Sequence, residues 1–434
     1  VSARDVAART AAEHRGFLLP PVAHLWRAPE TLLVVLVWTA ITVADLALSL
    51  SREKVHVSIT EAARPLTPWV AVIERAALGF VLLACMAVVV WSWRRIDWSR
   101  WWVLALALAP WAVLAVSAAL RGSVPGASFL LYPGLAAALW AARPRLAVIE
   151  VLGYITVGLA LVAMLLALGW SDAGIFTGGQ GFESEKPIGP WGILAGPLPT
   201  GNHLGRALAL GLASVLTIRH LWARRVGVAL TLIAILWSSS RAAWLVAAVV
   251  LLVWIASGML RRSGAAGVAV ARRGVLLALT GAALVAAGLP FVLSEPSALN
   301  NRVGYWVVTL EEWGRSPVFG RGHDFFAQLA DSSDNLGGFA YHAHNLLVQL
   351  LITGGLVLVL CVAAMLLLAV RHAVRELAEG RFWAVAFLLA LACSSALEVP
   401  LSFVDNFGAN LPALIPLLVL LSARTFSRDA GHDD

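Results

Sequence analysis

Long apolar stretches recur from one end of this chain to the other, each closed by arginine, proline or glycine, and nothing else in the sequence restricts its fold so strongly. A helix needs about 20 residues to cross a bilayer's hydrocarbon core. Twelve stretches approach that length: about 31-50, 76-93, 101-120, 126-142, 147-169, 204-218, 226-239, 242-260, 274-293, 345-370, 382-399 and 409-423. The composition agrees, with 60% apolar and 13% charged residues, where soluble domains carry about a quarter charged. The expected fold is an all-α polytopic membrane protein of about 12 transmembrane helices, one integral-membrane domain over residues 1-434. A single soluble core, a disordered chain and a nucleic-acid-binding domain fit poorly.

The net charge of +7 follows from where the arginines fall; Lys54 and Lys186 are the only lysines. If loops alternate sides, 21 of the 32 basic residues lie on the side that holds both termini. The positive-inside rule makes that side cytoplasmic and the span number even, and it accounts for the basic excess without a nucleic-acid partner. Several of the 19 tryptophans, such as Trp93, Trp98, Trp101 and Trp170, stand at span ends, as in an interfacial aromatic belt. Residues 1-30 contain no uninterrupted apolar run before a small-residue cleavage site, so the first span is expected to act as the insertion signal. Cys85, Cys361 and Cys393 fall inside spans and read as small buried apolar residues.

Two external loops are unusually long, 170-203, rich in glycine and proline, and 294-344. Loops of this size in a compact protein are commonly functional. The second holds most of the candidate chemistry. Val303, Trp306, Val307 and Leu310 recur at helical spacing, which places Arg302 at the start of a short amphipathic helix on the membrane surface. The chain then turns through Pro317-Val318-Phe319-Gly320-Arg321-Gly322 and closes with Tyr341-His342-Ala343-His344-Asn345. His344 and Asn345 begin a long apolar helix, whose positive end disfavours a protonated imidazole and keeps His344 available as a proton acceptor. On a regular helix His342, two residues away, would not share its face. No His-Glu-x-x-His motif, paired cysteine or external Asp-x-Asp supports a metal site.

Arg206, Arg241 and Arg302 lie on the same external side, Arg241 at the tight turn after Ser238-Ser239-Ser240. Arginine near a bilayer snorkels, pairs or serves function, and Glu398 and Asp405 are candidate partners. Three arginines on the side of His344 favour a shared anion. A guanidinium donates two bonds to a diphosphate at once and keeps its charge. It could thus stabilise a departing diphosphate where other enzymes use magnesium, while a neutral histidine activates an acceptor hydroxyl.

These residues resemble the bacterial O-antigen ligases and the related O-antigen polymerases. The similarity rests on Ser240-Arg241-Ala242-Ala243-Trp244 at an external turn, Arg302 with Trp306, residues 317-322, and His342-Ala343-His344-Asn345 followed by Thr353-Gly354-Gly355; it covers about residues 200 to 400. Gly355 is followed by Leu356-Val357-Leu358, where the family often places another glycine. The resemblance implies an integral-membrane glycosyltransferase of the bacterial inner membrane, with its active site facing the periplasm. Such a ligase moves polysaccharide from undecaprenyl diphosphate to a sugar hydroxyl of the lipid A core, with neither metal nor nucleotide sugar as cofactor. On that pattern His344 is the base, Arg302 and Arg241 hold the diphosphate, and His342 and Asn345 belong to the substrate site. Arg206 is added on position and charge. Polymerase and protein O-oligosaccharyltransferase rank second and third by acceptor. A transporter of a lipid-linked anion would use the same arginines without a base.

Overall fold

The computed structural model describes residues 28-51, 66-123, 125-176, 192-260, 264-331, 341-404 and 407-422. About 80% of it is helical, as expected for an all-α membrane protein. Fourteen α-helices are numbered here: α1 Pro29–Ser51, α2 Pro68–Ser92, α3 Trp101–Leu120, α4 Leu131–Ala142, α5 Ala147–Gly169, α6 Gly201–Val215, α7 Leu221–Trp237, α8 Arg241–Leu260, α9 Gly264–Val292, α10 Arg302–Gly314, α11 Phe325–Asp331, α12 Leu346–Ala378, α13 Trp383–Leu397 and α14 Phe407–Ser422. All twelve apolar stretches coincide with helices, and α10 and α11 lie in the loop at 294-344. Among the described residues, seven helices are long and apolar enough to cross a membrane: α1, α2, α3, α5, α8, α9 and α12.

The bundle is organised around α6, which packs against α5, α7, α8, α13 and α14. Its sequence, GNHLGRALALGLASV, permits this because small residues let neighbouring backbones come close. A Cβ at Gly205 would meet Ser240 Cβ at 2.8 Å and Ala243 Cβ at 3.0 Å, so the turn before α8 lies directly on the head of α6. α14 is enclosed as well; every residue but Gly408 is buried. By contrast, α2 and α9 expose large apolar side chains such as Val90, Leu277 and Leu284, a surface suited to lipid.

Helix α12 is broken. Gly355 has φ 66° and ψ −162°, a conformation open in practice only to glycine. The loop after α10 fills the break. Leu356 N donates to Pro317 O at 3.0 Å and Val357 N to Val318 O at 3.2 Å, while Arg321 N donates back to Ile352 O. Ser117 and Arg121, at the end of α3, donate to Phe319 O and Gly320 O. The loop thereby satisfies the helical groups that the break leaves unpaired.

The loop at 170-203 is closed by two short strands, β1 Ile175–Phe176 and β2 Ile193–Leu194, antiparallel with Ile175 opposite Leu194. Most of its glycine-rich middle lies outside the described residues, as does Asp405.

Candidate functional site

Several separate segments meet at one carboxylate. Glu398 follows the last residue of α13 and is 4% exposed. Arg302, at the head of α10, donates through Nη2 to Glu398 Oε1 at 2.9 Å and through Nη1 to Leu397 O, the last carbonyl of α13. Arg206 of α6 places Nη1 3.7 Å from Glu398 Oε2, and donates to Val399 O at 3.0 Å and Asn410 Oδ1 at 3.2 Å. His342 Nε2 and His344 Nδ1 approach the same Oε2 at 3.7 and 3.9 Å, too far for hydrogen bonds. Both nitrogens are buried without a hydrogen-bond partner.

The histidines converge although they are two residues apart. They precede α12, and His344 takes a left-handed conformation, φ 52°, which turns its ring back toward His342; the ring centroids lie 4.1 Å apart. The regular helical geometry assumed from sequence does not apply here. Three bonds hold the segment: Trp306 Nε1 to Ala343 O at 2.7 Å, Ala343 N to Gln349 Oε1 at 2.9 Å, and the cap of α12. That cap is Asn345, whose Oδ1 accepts from Val348 N while Nδ2 donates to Ala286 O and Ala396 O. The buried side of α10, Val303 and Trp306, packs on Phe325, Phe326 and Ile352, so protein covers it, whereas Val307 is exposed.

Charge is divided unequally in this cluster. Burial alone would raise the Glu398 carboxyl, but His342, His344 and the Arg302 guanidinium outweigh it and hold the group well below the usual carboxylate range. Burial and the neighbouring His344 push His342 down to about 4, against the pull of Glu398. Burial lowers His344 too; Glu398 opposes this, and Arg302 and Arg206 add to it. At neutral pH the site therefore holds two neutral imidazoles, one carboxylate and two guanidiniums.

A cavity of about 190 Å³ adjoins the cluster, with His203, Arg206 and His342 on its lining together with His323, Asp324 and Tyr341. His203 accepts from or donates to Thr200 Oγ1 at 2.8 Å through Nδ1. The sequence reading passed over His323 and Asp324, which lie in a glycine-flanked turn; two chemically active side chains between Gly322 and Phe325 were the available signal. It named Glu398 only as a partner for arginine. Arg241 is not one of the groups gathered on Glu398. It is exposed at the head of α8, directly after the turn that rests on Gly205.

His342, His344 and Glu398 also bring potential metal-ligand atoms within 4.8 Å of one another. Two guanidiniums on the same carboxylate weaken that site for a cation, because they already supply positive charge to the ligand oxygens.

Residues 226–363 match the O-antigen ligase family model. The match spans α7 to the first part of α12 and bears out the family resemblance read from the sequence. Arg241, Arg302, His342, His344 and Asn345 lie within the matched residues; Arg206 and Glu398 lie outside them. No curated protein matches the chain. The match covers about a third of the chain, and the long apolar helices before and within it agree with a multi-pass membrane protein.

Proposed function

We propose that this protein is an O-antigen ligase that transfers polysaccharide from undecaprenyl diphosphate to a sugar hydroxyl of lipid A core, at the periplasmic face of the inner membrane. The observation that carries this reading is the convergence of two neutral histidines and two arginines on Glu398 beside a cavity of mixed polar and apolar lining. His344 turns Nδ1 toward the carboxylate, which leaves Nε2 to take the acceptor's proton. The acceptor oxygen forms a bond to the anomeric carbon as the bond from that carbon to the diphosphate oxygen breaks. The departing charge is stabilised by Arg302 and Arg206, and by the exposed Arg241 at the outer edge. Asn345, fully engaged with protein, positions the histidines. His342, His323 and Asp324 line the cavity where the acceptor sugar would bind.

Transfer measured with purified donor and acceptor tests this reading. We expect His344→Ala to lower kcat at least about 100-fold, the scale of general-base catalysis, with donor binding retained. Unchanged kcat would remove His344 as base. We also expect transfer to continue in EDTA; its loss, restored by a divalent metal, would favour a metal held by His342, His344 and Glu398. Product joined to lipid A core marks a ligase, and longer chains on the lipid diphosphate mark a polymerase.

A further inference from the structure

At the other end of the bundle the helices enclose a second cavity, of about 730 Å³. Helices α6 and α13 connect the two places: His203 heads α6 and lines the first cavity, and Thr217, just past its foot, lines the second. The helix between His203 and Val215 alone separates them by about 18 Å. Trp383 opens α13 at the second cavity, and Leu397 closes it beside Glu398. The second cavity thus has no part in the transfer proposed above.

Its lining is amphiphilic. Arg219, Arg224 and Arg381 stand against a single lining carboxylate, Glu150. Arg219 Nε lies 3.4 Å from Glu150 Oε2, and Arg219 N donates to Glu150 Oε1 at 3.0 Å. Arg381 is held by Glu376 at 2.6 and 2.9 Å and also by Glu379. Arg224 has a carbonyl contact, to Ile218 O at 3.4 Å, and so brings a positive charge to the lining that Glu150 does not balance. The apolar wall begins on the outer surface of α8, where Trp254 and Ile255 are 45% and 54% exposed, and continues inward to the buried Ile149, Ala213 and Ala386.

We propose that this cavity binds an anionic glycerophospholipid. Its phosphate would lie against Arg224 and Arg219, whose planar forks match phosphate oxygens, and one acyl chain would follow Trp254 and Ile255 inward. The open apolar wall selects a lipid over a free anion, and basic pockets between helices hold acidic lipid headgroups elsewhere.

Native mass spectrometry of the purified full-length protein, delipidated and then given equal amounts of phosphatidylglycerol and phosphatidylcholine, tests this. Wild type should retain phosphatidylglycerol preferentially. Arg224→Ala and Arg219→Ala should each lower its retention about fivefold, near the effect of one basic residue at an acidic surface. Arg95→Ala, an exposed arginine outside the cavity, should leave it unchanged, and Arg224→Lys should keep part of it. Trp254→Ala should weaken lipid retention and leave binding of glycerol phosphate unaffected. Equal retention of the two lipids, equal loss from Arg95→Ala, or glycerol phosphate held as firmly as the lipid would overturn the proposal. Because transfer chemistry is not the readout, failure here leaves the ligase reading standing, and the reverse also holds.

Discussion

Glu398 is surrounded by groups that all depend on its charge. Arg302 and Arg206 face it from two sides, and removing one partner of a buried ion pair leaves the other without compensation. We expect Glu398→Gln to destabilise the protein by roughly 3 kcal/mol, read as a lower unfolding midpoint in detergent; an unchanged midpoint would mean that water already screens these arginines. The same substitution bears on pH dependence. Because burial lowers His344 from the ordinary 6.5, its base form persists below that value, and the acid limb of kcat/KM should lie under pH 6.5. Glu398 opposes the lowering, so Glu398→Gln should move that limb further toward acid. A wild-type limb above 6.5 would contradict the assignment. From sequence, Arg206, Arg302, His342 and His344 were all recognisable by side and residue type. Their meeting was not, because it depends on the left-handed turn at His344, which helical periodicity cannot reveal.

At the scale of elements, each of the twelve apolar stretches falls on a helix, but only seven helices among the described residues are long and apolar enough to cross a membrane; burial in lipid and burial in protein select apolar runs alike. For that reason hydrophobic patterning could not distinguish α6 and α14, enclosed by other helices, from α2 and α9, which face outward. Nor could it show the break in α12, where Gly354-Gly355 was read only as part of a motif. A Cβ at Gly355 would land on Val318 O, in a backbone conformation that already costs a side chain about 1–3 kcal/mol. We expect Gly355→Ala to lower the unfolding midpoint and reduce transfer together, because residues 317–321 would be forced out of the break. Full activity with an unaltered midpoint would show that the loop is not needed there.

For the whole molecule, the separation of basic residues by side is the property most directly open to test. Arg219 in the α6–α7 turn, Arg224 in the first turn of α7 and Arg381 just before α13 meet around one cavity with the adjoining ends of α5 and α8, and the histidines stand at the opposite end. If the arginine-rich end is cytoplasmic, a reporter active only in the periplasm should work when inserted near Ser316 and fail when inserted near His220. The reverse pattern would invert the orientation and place the proposed chemistry in the cytoplasm.

The insertion of residues 317–321 into α12 also governs how this protein can be recombined with its relatives. The carbonyls of Pro317 and Val318 complete one half of the helix, and the amide of Arg321 completes the other. A chimera that exchanges 294-344 as one block would separate a helix from the peptide groups that finish it. Crossovers placed after Asp324 and before Tyr341 would keep both together, and a chimera joined there exchanges chain without disturbing the completed helix.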